Sequence, residues 1–148
     1  MWKKDLNPYL VKMLMIHQKE VMTKKKENQS PFLDNRERLF ENQVGFVIYD
    51  GFPVSEGHCL IIPKRVYPDY FDSTPEELKG LNELIFKTKE FLDKEFKPTG
   101  YNIGVNSGED SGQTVFHLHI HLIPRYKGDV EDPKGGVRGV IPSKQKYW

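Results

Sequence analysis

Cysteine is nearly absent from this chain: Cys59 is its one thiol in 148 residues. An internal disulfide is excluded, and a lone cysteine suits a reducing compartment. Charge of one sign is also missing, since 22 Lys and Arg stand against 21 Asp and Glu. A duplex-binding protein usually shows a marked basic excess, so nucleic acid is not an expected partner. No apolar run reaches the roughly 20 residues of a membrane span, so no membrane partner is expected either. The start does not read as a signal peptide. "NPYLVKMLMIHQKEV" is interrupted by Lys12, His17, Lys19 and Glu20, and no small-residue cleavage site follows. The expectation is a cytoplasmic protein, long enough for one ordinary domain with its own core.

Glycine is missing from residues 1 to 29, which are instead rich in lysine and methionine. Asn7 can cap a helix with Pro8 at its first position, placing Leu10, Leu14, His17 and Val21 on one face. The sequence therefore reads as an N-terminal helical extension and polar link over 1–29, followed by a domain over 30–148. In that domain "QVGFVIYD" (43–50) and "HCLIIP" (58–63) are β-rich runs on either side of an Asp50-Gly51 turn. They predict a hairpin. "STPEELKGLNELIFKTKEFLDKEFKP" predicts a long helix, with Thr74 as N-cap, Pro75 at N1, Glu77 closing a capping box, and Leu78, Leu81, Ile85 and Leu92 on one face. "YNIGVN" (101–106) and "TVFHLHIHLI" (114–123) predict two more strands. No internal repeat is visible. The fold class this implies is α+β: an antiparallel β-sheet with one long central helix, plus the N-terminal extension.

Within the last strand, "HLHIHLIPR" (117–125) sets His117, His119 and His121 at alternate positions. A strand period puts Phe116, Leu118, Ile120 and Leu122 on the inward face and the three imidazoles in a row on the other. A register slip would expose the four apolar groups, so the orientation is strongly specified. Solvated polar residues would account for one such histidine, but not readily for three in register. A metal ion is a second reading, yet the first and third α-carbons of such a row lie about 13 Å apart, too far to converge easily on one ion. Geometry favours a phosphoryl group, attacked by the middle imidazole while the outer two donate to its oxygens.

"NSGEDSGQTV" feeds this strand, so it lies close to the histidine row. Gly108 and Gly112 let backbone amides turn toward an anion, and Asn106, Ser107, Gln113 and Thr114 add neutral donors. It is not a Walker loop. Taken alone, such a composition is that of an ordinary hairpin loop; its adjacency to the histidines gives it interest.

"GQTVFHLHIHLIPR" has the pattern His-φ-His-φ-His-φ-φ, with φ apolar, and the chain resembles the histidine-triad (HIT) family of nucleotide hydrolases and transferases. The resemblance extends through "YDGFPVSEGHCLIIPKR", the central helix and "PRYKGDVEDPKGGVRGVIP", nearly everything after residue 30. It implies that His119 is the nucleophile that attacks an α-phosphorus to form a nucleotidyl-histidine, later resolved by water. It further implies that His117 and His121 contact phosphate or leaving group and hold the nucleophile, with His58 as a fourth histidine beside them. Gln113 and Thr114 match loop positions that touch the phosphate or bridging atom. Asn106 matches a polar position near the α-phosphate, and Asp50 one that holds the ribose hydroxyls. Many bacterial relatives carry a Cys-x-x-Cys zinc pair where this chain has Ser30-Pro31-Phe32-Leu33, and another zinc ligand often stands where it has Val66. A structural zinc is therefore not expected, and no cofactor is required by the chemistry, with magnesium left open for a polyphosphate substrate.

"GQTV" and "PR" around the triad resemble the branch that acts on dinucleoside polyphosphates such as diadenosine tetraphosphate. The competing readings are a phosphoramidase and a nucleotide-binding interaction protein with negligible turnover. The resemblance also implies a homodimer, to which Tyr147 and Trp148 at an otherwise polar end could contribute.

Overall fold

A computed structural model describes Lys12, Met13, Met15, Ile16 and residues 30–148. Those four early residues are helical and exposed; Asn7, Pro8, Leu10, Leu14, His17 and Val21, on which the expected N-terminal helix was argued, lie outside the described residues. The chain divides into two compact units, Met1–Asp34 and Asn35–Trp148.

The second unit is built on a five-stranded antiparallel sheet: β1 (Phe40–Glu41), β2 (Gly45–Tyr49), β3 (Cys59–Pro63), β4 (Gly100–Val105) and β5 (Ile120–Arg125), in the order β1-β2-β3-β5-β4. The hairpin of β2 and β3 pairs Val47 with Ile61 and Tyr49 with Cys59. β1 was not legible in the sequence, because a two-residue edge strand has no room for a period of two.

One long helix, α1 (Pro75–Glu95), starts at Thr74 as expected: its hydroxyl accepts from Glu77 N, and the Glu77 carboxylate accepts from Thr74 N. Glu77, Gly80, Leu81, Leu84, Thr88 and Leu92 are the buried positions, a stripe at helical spacing. The expected face is thus rotated: Leu78 and Ile85 are only half-buried, while Leu84 and Thr88 are buried. Thr88 enters the core without penalty because its hydroxyl donates to Leu84 O at 2.7 Å. The helix packs on one face of the sheet, against Val47, Cys59, Ile61, Ile120 and Leu122. Since successive side chains alternate, Leu60 and its cross-strand partner His121 belong to the opposite face, beside Gly104 of β4.

The histidine strand departs from the sequence reading. β5 begins only at Ile120, so His117 and His119 precede it. Phe116 is 52% exposed rather than inward, and His117 is buried at 1% exposure rather than in a row with its neighbours. The cause is a competing set of partners. The last residue of β3 and the stretch after it offer carbonyls to this segment: Tyr67 O accepts from Leu118 N at 2.7 Å, and Pro63 O faces His117 Nε2 at 2.7 Å. Residues 113–118 therefore bond to this strap instead of extending the ladder, and ladder pairing begins only at Ile120, although the alternation of burial already holds from Leu118, with Leu118, Ile120 and Leu122 inward as expected and His119 and His121 half-buried.

Candidate active site

On the face of the sheet away from α1, three chain ends meet. Asp50 follows β2, His58 precedes β3, and Asp50 N donates to His58 O at 2.9 Å, continuing the hairpin by one pair. His121 lies on the neighbouring β5. The His58 Nε2 and His121 Nδ1 atoms are 3.0 Å apart, and Asp50 Oδ2 stands 3.4 Å from the first and 3.8 Å from the second. The His119 and His121 rings meet edge to face with centroids 5.2 Å apart. Asp50, His58, His119 and His121 are thereby assembled into one group.

The hydrogen bonds define which nitrogen of each ring carries a proton. Val54 N donates to His58 Nδ1 at 3.2 Å, so neutral His58 holds its proton on Nε2. That proton points at His121 Nδ1, which must accept it, leaving the His121 proton on Nε2. The chain Val54 N–H, His58, His121 thus ends in an N–H donor. His119 is set the opposite way. Its Nδ1 lies 2.7 Å from the His117 carbonyl, and a carbonyl can only accept, so Nδ1 is protonated and Nε2 is the basic nitrogen of the neutral ring.

Burial supports these neutral forms. His121 is pushed down to about 4, first by burial and then by the neighbouring His119 and His58, with Asp50 opposing. Burial also lowers His58 against the pull of Asp50, and lowers His117 against backbone bonds to Pro63 and Arg65. Nearby Cys59 is a core residue, its thiol pushed up to about 12 by burial, and it offers no thiolate to the site.

Three of these groups also have the disposition of metal ligands, since one donor atom each from Asp50, His58 and His121 lies within 4.8 Å of the others. Their separations straddle the roughly 3.3 Å expected between ligands at 2.0–2.1 Å on a tetrahedral ion. His58 Nε2 would nevertheless have to ligate with a lone pair, and the Val54 amide keeps a proton there. As arranged, the group is a hydrogen-bonded chain.

The remaining expected residues lie differently. Asn106 follows β4 and is half-buried, and Thr114 is exposed; among the described residues neither joins the hydrogen-bonded histidine group. Gln113 is buried and its carboxamide bonds to backbone, accepting from Gly108 N at 2.8 Å and donating to Pro68 O at 2.9 Å and Val115 O at 3.2 Å. Asp50 accepts from Phe52 N at 2.8 Å through Oδ1 while Oδ2 faces the histidines. Sequence reasoning missed the Val54 amide and the carbonyls of Pro63, Tyr67 and Pro68. All four are backbone groups, which every residue type carries alike.

A model of the HIT domain matches residues 34–128. The chain is 42% identical over 80 residues to bis(5'-nucleosyl)-tetraphosphatase [asymmetrical] from Schizosaccharomyces pombe, covering 54% of this chain and 44% of that protein. It is 35% identical over 96 residues to bis(5'-adenosyl)-triphosphatase from Dictyostelium discoideum, covering 65% of this chain and 64% of that one. A crystal structure of a HIT family protein from Bacillus anthracis superposes with a TM-score of 0.60 at 39% identity, over 63% of this chain and 66% of that chain. This chain spans less than two thirds of the length of each.

Proposed function

Because the chain belongs to the HIT family, we propose that it is a hydrolase that cleaves dinucleoside polyphosphates at the α-phosphorus through a nucleotidyl-histidine on His119. One observation carries this reading: the His117 carbonyl holds the proton of His119 on Nδ1, so that the lone pair of the neutral ring sits on Nε2, where it can act as a nucleophile. The Nε2 lone pair forms the N–P bond as the bond from phosphorus to the leaving oxygen breaks, and its electron pair departs with that oxygen. The His121 Nε2–H, oriented by His58, is the donor suited to the charge growing there. Water then forms a bond to phosphorus and gives up a proton to solvent, the N–P electrons return to His119 as its Nε2 lone pair, and a nucleoside monophosphate leaves. Asp50 serves the ribose hydroxyls in this reading, and Asn106 and Thr114 the phosphate oxygens. The names of the two curated relatives support the substrate class.

The test is intact mass after a brief acid quench of wild type and His119→Ala with diadenosine tetraphosphate. A gain of one nucleoside monophosphate on wild type alone is expected. Faster turnover of a nucleoside phosphoramidate would replace the proposed substrate with that one. Silence with both substrates would leave a nucleotide-binding protein. A homodimer is part of the same proposal, supported by the position of β4 at a sheet edge with Ile103 half exposed. A monomer in sedimentation at micromolar concentration would refute it.

A further inference from the structure

We infer that Gln113 is a positioning residue, which acts on the nucleophile by pinning the phosphate-side loop to the strap after β3 and does not itself bind phosphate. The inference rests on the proposed reaction for its kinetic consequences, though its structural content stands apart from it.

Gln113 is 5% exposed and both ends of its carboxamide are occupied by backbone. Both N–H donors of the carboxamide are used, on Pro68 O and Val115 O, and its oxygen faces Gly108 N, so as held the group has no donor left for a phosphate. Each of these bonds joins a different piece of chain. Gly108 begins the loop at φ +89, and its carbonyl accepts from the Gln113 and Ser111 amides and from Ser111 Oγ, so residues 108–113 close on themselves. Pro68 belongs to the strap, whose Tyr67 carbonyl holds Leu118, and Pro63 at the adjoining end of β3 holds His117. Val115 lies on the path to His117.

The strap is itself anchored. Arg65 forks onto the Glu77 carboxylate at 2.7 and 2.8 Å and stacks over the Tyr67 ring at 3.9 Å, while Tyr67 OH donates to Ser73 Oγ at 2.9 Å. Glu77 at the same time completes the cap of α1. A continuous set of bonds therefore runs from the helix cap through Arg65 to the strap, and from the strap through Gln113, His117 and Leu118 to the backbone that presents His119. Gln113 is the member of this set that also holds the loop. Its removal would let the loop and the nucleophile shift relative to each other without removing any group from the reaction.

The experiment compares wild type with Gln113→Met, close in shape but without hydrogen bonds, and Gln113→Glu. Turnover of diadenosine tetraphosphate, direct binding of adenosine monophosphate, and the imidazole nitrogen resonances of His119 are measured on each. For Gln113→Met the expected result is a kcat loss of roughly 10–100-fold, the scale of a misplaced reacting group. Binding of the monophosphate stays within about twofold, and the His119 resonances shift or broaden. Gln113→Glu behaves like Met when ionised. When protonated, its C=O accepts from Gly108 N and its O–H donates to Pro68 O, so activity relative to wild type recovers as pH falls. Loss of monophosphate binding in parallel with kcat would overturn the inference and make Gln113 a phosphate ligand. Unchanged kcat with unchanged His119 resonances would overturn it too. If Gln113→Met fails to fold, the pH-dependent recovery of Gln113→Glu decides. If wild type turns over no nucleotide, the functional reading falls and the His119 resonances still decide this one.

Discussion

His117 and His119 are two residues apart and linked by one hydrogen bond, from the His119 imidazole to the His117 carbonyl at 2.7 Å, while the His117 ring turns into the core toward Pro63 O. The backbone of His117 thus orients the His119 ring, the nucleophile of the proposed reaction, and its side chain holds that backbone. This division separates two mutations. His117→Ala leaves a cavity and an unmet carbonyl at a buried site, so it costs about 2–4 kcal/mol of folding stability. His119→Ala, at a half-buried position, costs much less stability and removes the covalent route. Urea unfolding of both variants checks the first claim, and equal midpoints would refute it.

His121 is expected to act as a donor to the leaving oxygen. His121→Ala should lower kcat by roughly 10²–10³ with a polyphosphate leaving group. With a p-nitrophenyl ester of the same nucleotide the loss should be much smaller, because a stable leaving anion needs little help. Equal losses with both substrates would place His121 elsewhere in the reaction.

The buried histidines also make stability depend on pH. His121 titrates at about 4 in the folded chain against an ordinary value of 6.5, and His58 and His117 are lowered as well. Between those values the unfolded chain binds more protons than the folded one, so stability is fully present above about 6.5 and declines as pH falls toward 4. Below that range Glu77 adds to the slope. Its carboxylate is held at about 2 by hydrogen bonds from Arg65, down from 4.5, so its contribution is present above 4.5 and lost as pH falls toward 2. Urea midpoints at about pH 7, 5.5 and 4 should decrease in that order, and His121→Asn should flatten the upper part of the slope. A flat profile for wild type would contradict the burial of these rings.

Gly80 of α1 lies against the turn between β1 and β2. Its carbonyl accepts from Asn42 Nδ2 at 2.8 Å, and an added Cβ would overlap Val44 Cγ2. Although alanine is the better helix former by about 1 kcal/mol, Gly80→Ala is expected to destabilise by roughly 1–3 kcal/mol, because overpacking outweighs propensity. The variant Gly80→Ala with Val44→Ala should recover most of that loss. An unchanged urea midpoint for Gly80→Ala alone would refute the contact.

The local elements were legible in the sequence where short-range rules are decisive. Thr74, Pro75 and Glu77 specified the start of α1 through contacts within four residues, and the β-rich runs around Asp50-Gly51 specified the hairpin. The spacing of His117, His119 and His121 marked a candidate site because apolar residues separate the imidazoles, and the structure groups His119 and His121 with His58 and Asp50. What spacing could not express is that a strand forms only while its backbone finds ladder partners. The carbonyls of Pro63, Tyr67 and Pro68 compete for residues 113–118, so His117 turns inward, Phe116 turns outward, and Gln113 is spent on backbone. The proton positions on His58, His119 and His121 likewise depend on the Val54 amide and the His117 carbonyl, groups common to every residue whose direction only the folded chain determines. Sequence alone determined that the histidines alternate with apolar residues, and so which side chains are the candidates for chemistry. Tertiary structure decided which of these side chains cluster and which turn into the core, since that depends on partners between 45 and 63 residues away along the chain: Pro68 for Gln113, Tyr67 for Leu118, Pro63 for His117 and His58 for His121.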